Sequence, residues 1–173
     1  KTDSVTQASF YAPAGQDRSS LNNVIGISGP KVTTANDQEL LYQADINPIV
    51  ELANSGPFIN GQKTLLKSQS DLSRIDIRRM LIDIRRRVKS KANGFLFETN
   101  RESTLERFSA EINPILAGIR NAGGISRFKI VVDTTTTTQA DVENNTIRGK
   151  IYLQAVGSIE FVALDFEVTG QIL

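Results

Sequence analysis

Apolar positions along this chain change their period twice, and the changes mark its elements. Between residues 74 and 94, Ile77, Met80, Leu81, Ile84 and Val88 recur at spacings of three and four. That is the stripe of an amphipathic helix. Asp76 is placed to cap its start and Asn93-Gly94 to end it. About 15 residues would span roughly 22 Å. Phe95-Leu96-Phe97 then reads as a short buried strand. A second helix begins near Asn100, where Thr99-Asn100-Arg101-Glu102 has the form of a capping box. Leu105, Phe108, Ile112, Leu116 and Ile119 make its stripe, and Gly123-Gly124 stops it. Pro114 inside this run predicts a kink or a division near Ala110-Glu111.

The last third switches to a period of two. Phe128, Ile130 and Val132 alternate with Lys129, Val131 and Asp133. A polar connector follows, with five consecutive threonines at 134–138. Residues 147–156 and 159–168 read as two more strands, joined near Gly157-Ser158. In the last of them Val162, Leu164, Phe166 and Val168 share one face. Such a terminal strand pairs with its own sheet or with a neighbour's.

The first third is weaker in pattern. Residues 1–36 are a polar, loop-rich lead-in, with turns at Ala12-Pro13-Ala14-Gly15 and Gly29-Pro30 and a short strand at Val24-Ile25-Gly26-Ile27. Thr34 or Asn36 caps a short helix through Leu40, Leu41 and Tyr42. Ile46-Asn47-Pro48-Ile49-Val50 is extended, because a residue before proline avoids the helical region. Ser55-Gly56-Pro57 turns ahead of Phe58-Ile59. This order predicts one α+β domain over residues 1–173, with a small, mainly antiparallel sheet packed against two long helices and extended terminal arms.

Composition removes much chemistry. The 173 residues include no His, no Cys and no Trp. There is no thiolate nucleophile, disulfide or zinc–thiolate site, and no imidazole base or metal ligand. Oxygen ligation of Mg²⁺ or Ca²⁺ stays open. No apolar run nears the roughly 18 residues of a membrane span. The chain opens with Lys1-Thr2-Asp3 and no signal pattern, which leads us to expect a piece of a longer protein.

Candidate chemistry is sparse. Gly56 to Thr64 has the outline of a phosphate-binding loop, but Gln62 separates Gly61 from Lys63-Thr64 where Gly, Lys and Thr must be consecutive. A structural turn is the expectation there. Asp133, Asp141, Glu143, Asp165 and Glu167 are the carboxylates that an acid–base pair would draw on; Asp165 and Glu167 alternate on the outer face of a strand, the usual place for solvated charge. Asn144-Asn145-Thr146 matches a glycosylation acceptor by chance composition. We expect no catalytic residues, no metal and no cofactor.

Charge is the informative feature. The net value of +1 hides a segment, Arg74 to Lys91, with eight basic residues against two acids, a net of +6. Residues 1–73 carry five bases and seven acids, and residues 92–173 seven bases and ten acids. Arg78, Arg85, Arg86 and Lys89 gather on the helix face away from the apolar stripe. Three readings fit: a solvated helix face, a nucleic-acid-binding module using helix 77–91, or a docking surface for an acidic protein. No aromatic residue lies within 74–91 to stack on bases.

The ordered series of short segments resembles the C-terminal core of contractile tail sheath proteins, as in contractile-tailed bacteriophages and related injection particles. The pieces are Ala12-Pro13-Ala14-Gly15 with Val24-Ile25-Gly26-Ile27, Leu41-Tyr42 leading to Ile46-Asn47-Pro48-Ile49, and Gly61-Gln62-Lys63-Thr64 where the family has Gly-x-Arg-Thr. Ile77-Arg78-Arg79-Met80-Leu81, Phe97-Glu98-Thr99-Asn100, Phe128 to Asp133, Asn145-Thr146 and Glu160-Phe161-Val162 follow in family order, over about residues 8–170. The chain departs from the pattern where Asn60 stands near the family's tryptophan, at Pro114, and at Gly157-Ser158-Ile159 in place of a proline-rich stretch.

The resemblance implies a structural, force-transmitting subunit, not an enzyme. Its partners would be further copies of itself in six-fold rings, an inner tail tube protein, and a baseplate or tail terminator at the ends. It would sit in the virion tail after assembly in the host cytoplasm, with no membrane insertion and no specific nucleic acid. It also implies a tube-facing helix, for which Arg78, Arg79, Arg85, Arg86, Arg87, Lys89 and Lys91 are the candidates. Residues 159–173 would be the exchanged C-terminal strand, with Ile159, Phe161, Val162, Leu164, Phe166 and Val168 as its intersubunit contacts.

Overall fold

Two long helices and a two-stranded ribbon bury one apolar core in the computed structural model. It describes residues 8–32, 34–52, 56–68, 70–99, 101–133, 135–144 and 146–157. Among the described residues the helices are α1 (Gln16–Ser19), α2 (Ala35–Gln43), α3 (Ile75–Ala92), α4 (Glu102–Asn121) and α5 (Gln139–Glu143). The strands are β1 (Ile49–Leu52), β2 (Gly56–Ile59), β3 (Ile125–Val131) and β4 (Lys150–Ala155). The element classes and the antiparallel pairing match the α+β expectation, but the strands form two separate sheets, β1–β2 and β3–β4. The strand expected at 159–168 lies outside the described residues.

The core takes its members from the expected stripes. Ile77, Met80 and Ile84 of α3 meet Ile112, Leu116 and Ile119 of α4 and Ile125 of β3. The ribbon closes this cluster with Phe128, Ile130, Ile151 and Leu153, and Phe10 joins from the lead-in. Ile125 and Phe128 are three residues apart, so strict alternation would put them on opposite faces. The register shift between Ile125 and Arg127 inserts Ser126 as a bulge and turns both inward. Lys129 and Tyr152 then pair on the outer face.

The end of α4 is set by backbone geometry. Gly123 is left-handed at φ 83°. Its N–H donates to the Arg120 carbonyl at 2.9 Å, and the Gly124 N–H donates to the Ile119 carbonyl at 2.9 Å. This is a Schellman closure. A Cβ on Gly124 would sit 2.8 Å from the Phe10 ring, so the lead-in is clamped to α4 only because that residue has none.

Several expectations need correction. Val24–Ile27 is not a strand, and Ile25 is fully exposed. Asp76 is not the cap of α3; Arg74 holds that position, and Asp76 is buried within the first turn, accepting from the Ile77 N–H at 2.7 Å. The expected capping box does not form at α4, whose cap is Arg101 with no side-chain hydrogen bond. Pro114 neither ends nor divides that helix, which runs unbroken for 20 residues. Proline removes one helical N–H and crowds the Ala110 carbonyl with its ring, and the packing of Ile112, Leu116 and Ile119 outweighs both costs.

Phe95-Leu96-Phe97 is a corner, not a buried strand. Residues Asn93–Phe95 make a 3₁₀ turn, and Phe95 packs edge-on against Phe108 with centroids 5.2 Å apart. Leu96 and Phe97 are driven outward, Phe97 at φ 70°.

The lead-in is pinned to the first hairpin. Ser19 Oγ lies 2.8 Å from both the Gly15 and the Ile59 carbonyl, which share its single proton, and accepts from the Ile59 N–H at 3.0 Å. Thr34 caps α2 by accepting from the Asp37 N–H at 3.1 Å, one of the two expected alternatives.

Candidate functional site

The candidate site is the outward face of α3. Its inward face is fixed by Ile77, Met80 and Ile84, so helical geometry turns Arg78, Arg85, Arg86 and Lys89 to solvent. The two acids of the helix go the other way. Asp76 is 1% exposed and Asp83 is 8% exposed. Asp83 holds Arg86 at 2.9 Å and Arg87 at 2.9 Å, and Ser9 Oγ donates to it at 3.3 Å. This sorting leaves cations as the only charged groups exposed on the outer face.

The seven sequence candidates therefore divide. Arg85 and Lys89 are exposed and make no ion pair or hydrogen bond among the described residues. Arg86 is exposed but tethered to Asp83 through one nitrogen. Arg87 donates through Nε to Asp83, which anchors it beside the core. Arg78 Nε donates to the Leu72 carbonyl at 3.0 Å, bracing the turn before the helix. Arg79 reaches back to the Tyr11 carbonyl at 3.5 Å. Lys91 lies on the α4 side and pairs with Glu111 at 3.4 Å. Sequence reasoning missed Ile82, which is exposed among these cations. Its distance of four residues from Arg78 and three from Arg85 was the available signal.

The Gly61-Gln62-Lys63-Thr64 segment is a structural clamp. Lys63 Nζ donates to Asp45 at 3.0 Å and lies 3.7 Å from the centroid of the Tyr42 ring. Asn47 brackets the Lys63 backbone, donating to its carbonyl and accepting from its N–H at 2.8 Å each. Gly61 is required because a Cβ there would lie 2.7 Å from Asn47 Oδ1. The Lys63 and Lys67 ammoniums hold the Asp45 carboxyl below its ordinary range. Lys63 is thus committed to protein partners, as the turn reading expected.

Among the described residues, the carboxylates named from sequence are committed locally or exposed. Asp133 holds its own turn, accepting from the Thr135 hydroxyl and N–H, and these bonds lower its pKa. Asp141 accepts from Arg148 Nε at 2.6 Å and from the Thr138 hydroxyl at 2.7 Å, which lowers its pKa to about 2. Glu143 is exposed on α5, and Asp165 and Glu167 lie outside the described residues. The threonine connector is more than a linker. Thr137 is buried, donates to the Arg148 carbonyl and accepts from the Arg148 N–H. Among the described residues no helix is long and apolar enough to cross a membrane.

The family described as the phage tail sheath C-terminal domain matches residues 67–169, and this chain belongs to it. The tail sheath protein of Vibrio phage KVP40 is 32% identical over 169 residues, covering 98% of this chain and 25% of that protein. The tail sheath protein of Enterobacteria phage T4 is 31% identical over 170 residues, with 98% and 25% covered. The chain thus spans about a quarter of these relatives. A solved sheath complex of the extracellular contractile injection system PVC, in its contracted state, is 25% identical with a TM-score of 0.77, over 95% of this chain and 47% of that one. The fold also matches the anti-feeding prophage baseplate structure, at a TM-score of 0.84 and 22% identity, over 96% of this chain and 47% of that one.

Proposed function

We propose that this chain is the inner core of a contractile tail sheath subunit, a structural element that stacks with copies of itself in six-fold rings around an inner tube and carries no catalysis. Family membership supports the class. The observation that carries the tube-facing assignment is the sorting of charge on α3, with both acids turned inward and Arg78, Arg85, Arg86 and Lys89 turned outward. Exposed charges are individually weak and screened by salt. Such a surface holds a tube in register and releases it when the lattice changes packing.

Residues 159–168 are the second element of this reading. Among the described residues β4 pairs only with β3, and β3 only with β4. Strand addition at an edge of that ribbon, by Ile159 to Val168 of a neighbouring copy, would link subunits through backbone hydrogen bonds that survive a hinge. The baseplate or a tail terminator would meet the same lattice at its ends. The particle would place the chain in the virion tail, after assembly in the host cytoplasm.

The test is charge reversal where no internal partner is disturbed. Arg86 and Arg87 hold Asp83, so their reversal would also strain the fold. Arg85→Glu with Lys89→Glu removes only outward charge. In full-length protein this double variant should keep its circular dichroism and melting point and fail to polymerise on tubes in electron micrographs. Normal sheaths on tubes would overturn the tube-facing assignment.

A further inference from the structure

The outer face of α3 is not uniformly polar. Ile82 stands in it, 66% exposed. It lies four residues after Arg78, three before Arg85, four before Arg86 and seven before Lys89. On a helix of 3.6 residues per turn those spacings ring it with the four cations. A single exposed isoleucine is ordinary by itself. Its surroundings make this one different. Asp76 and Asp83 are buried, so no exposed acid of the helix stands in the ring, and Asp83 engages only Arg86 of the four, through one nitrogen. Arg85 and Lys89 have no partner among the described residues, so their charge is available to another molecule.

An apolar centre inside a charged rim is the anatomy of a protein interface: the centre is dehydrated on contact and the rim excludes water. The chemistry also selects the partner. A nucleic-acid backbone supplies phosphates for the cations and nothing for the isoleucine to enter, and the helix offers no aromatic platform for bases. A folded protein surface supplies carboxylates around an apolar recess. We infer that Ile82 is the apolar anchor of α3, seating in a shallow recess on an acidic protein surface while Arg78, Arg85, Arg86 and Lys89 pair with the acids around it.

This rests on the reading of α3 as the tube-facing element and adds a second component to that contact. The ring of charges weakens with ionic strength, because the screening length falls from about 10 Å at 0.1 M salt to about 3 Å at 1 M. Burial of Ile82 does not weaken with salt. The contact therefore keeps a salt-resistant remainder that belongs to one side chain.

Co-sedimentation of full-length protein with its purified tail tube, across sodium chloride from low to molar concentration, separates the two components. Ile82→Ser is the informative variant, since serine and isoleucine have similar helix propensity and the position is outside the core. It should bind about tenfold more weakly at every salt concentration and lose the high-salt remainder. Arg85→Gln with Lys89→Gln should flatten the salt dependence and keep the remainder. Wild-type binding by Ile82→Ser throughout, with the charge variant impaired, overturns the anchor and leaves the tube-facing reading standing. No effect from either variant overturns that reading and this inference with it. Loss of tube-free self-assembly by Ile82→Ser, with tube binding intact, reassigns the face to a second copy and also overturns the inference.

Discussion

Helices α3 and α4 obey the same rule on the inside and different rules on the outside. Each contributes three buried side chains to one cluster, at the same spacings. Outward, α3 presents Arg78, Arg85, Arg86 and Lys89 around Ile82. The exposed positions of α4 are mixed in sign, neutral or small, among them Glu102, Glu106, Arg107, Ala110, Asn113, Gly118 and Arg120. A shared core constrains only the faces that meet it. The outer faces are free to differ, because the core does not constrain them.

The strongest way to break this comparison is to cut the shared side. Met80 and Leu116 are both fully buried, on α3 and α4 respectively. Met80→Ala and Leu116→Ala should each cost about 3 kcal/mol in denaturant unfolding, from lost burial and the cavity left behind. If the helices form one cooperative core, each variant lowers a single transition. A transition that splits in one variant would show that the helices fold as separate units.

The outer sides should respond weakly. At Gly118 an added Cβ meets nothing within 4 Å. Gly118→Ala should therefore stabilise the chain by about 0.5–1 kcal/mol, through the smaller entropy of the unfolded chain. Destabilisation in thermal melts would mean that α4 is covered on its outer side. Arg85→Glu with Lys89→Glu should shift the same melts by no more than about 0.5 kcal/mol, while abolishing assembly on tubes. A large loss of stability would place those cations in the fold and not at an interface.

What could be read from sequence follows the same division. The inner stripes were legible because a core imposes a period on neighbouring residues. The paired strands 125–131 and 150–155 were legible for the same reason, with boundaries off by a few residues and the Ser126 bulge unseen. Contacts made by distant residues were not legible. Lys63 is committed by Tyr42 and Asp45, some 20 positions earlier, and nothing local announces it. The contact of Asp83 with Ser9 was equally hidden, since its serine partner is 74 residues away. Phe95, Leu96 and Phe97 have one composition and two fates, since only Phe95 meets Phe108. The outer face was half legible: its cations were visible, but Ile82 falls outside the inward stripe, and only the packing of the core shows it standing among them.

Acid titration probes the connector, away from both helices, and its effect near neutral pH is nil. In the folded chain the Arg148 guanidinium and then the Thr138 hydroxyl and N–H hold the Asp141 carboxyl at about 2, below its ordinary 3.8. A lowered folded pKa means that the carboxylate is favoured by folding. The contribution is complete above about 3.8, shrinks as pH falls through the window between that value and about 2, and is gone below it. Wild-type chain should therefore lose denaturation midpoint across that window by more than Asp141→Asn does, because asparagine has no proton to take up. The remaining slope of the variant belongs to other carboxylates, Asp45 and Asp133 among them, whose pKa values are lowered in the same direction. Helical circular dichroism should hold through the first part of the loss, since Asp141 and Arg148 tie α5 to the segment just before β4, and among the described residues no hydrogen bond or ion pair joins them to either long helix. Parallel curves for wild type and variant would mean that the Asp141–Arg148 pair adds nothing to stability, and simultaneous loss of the helical signal would mean that connector and helix pair unfold as one unit.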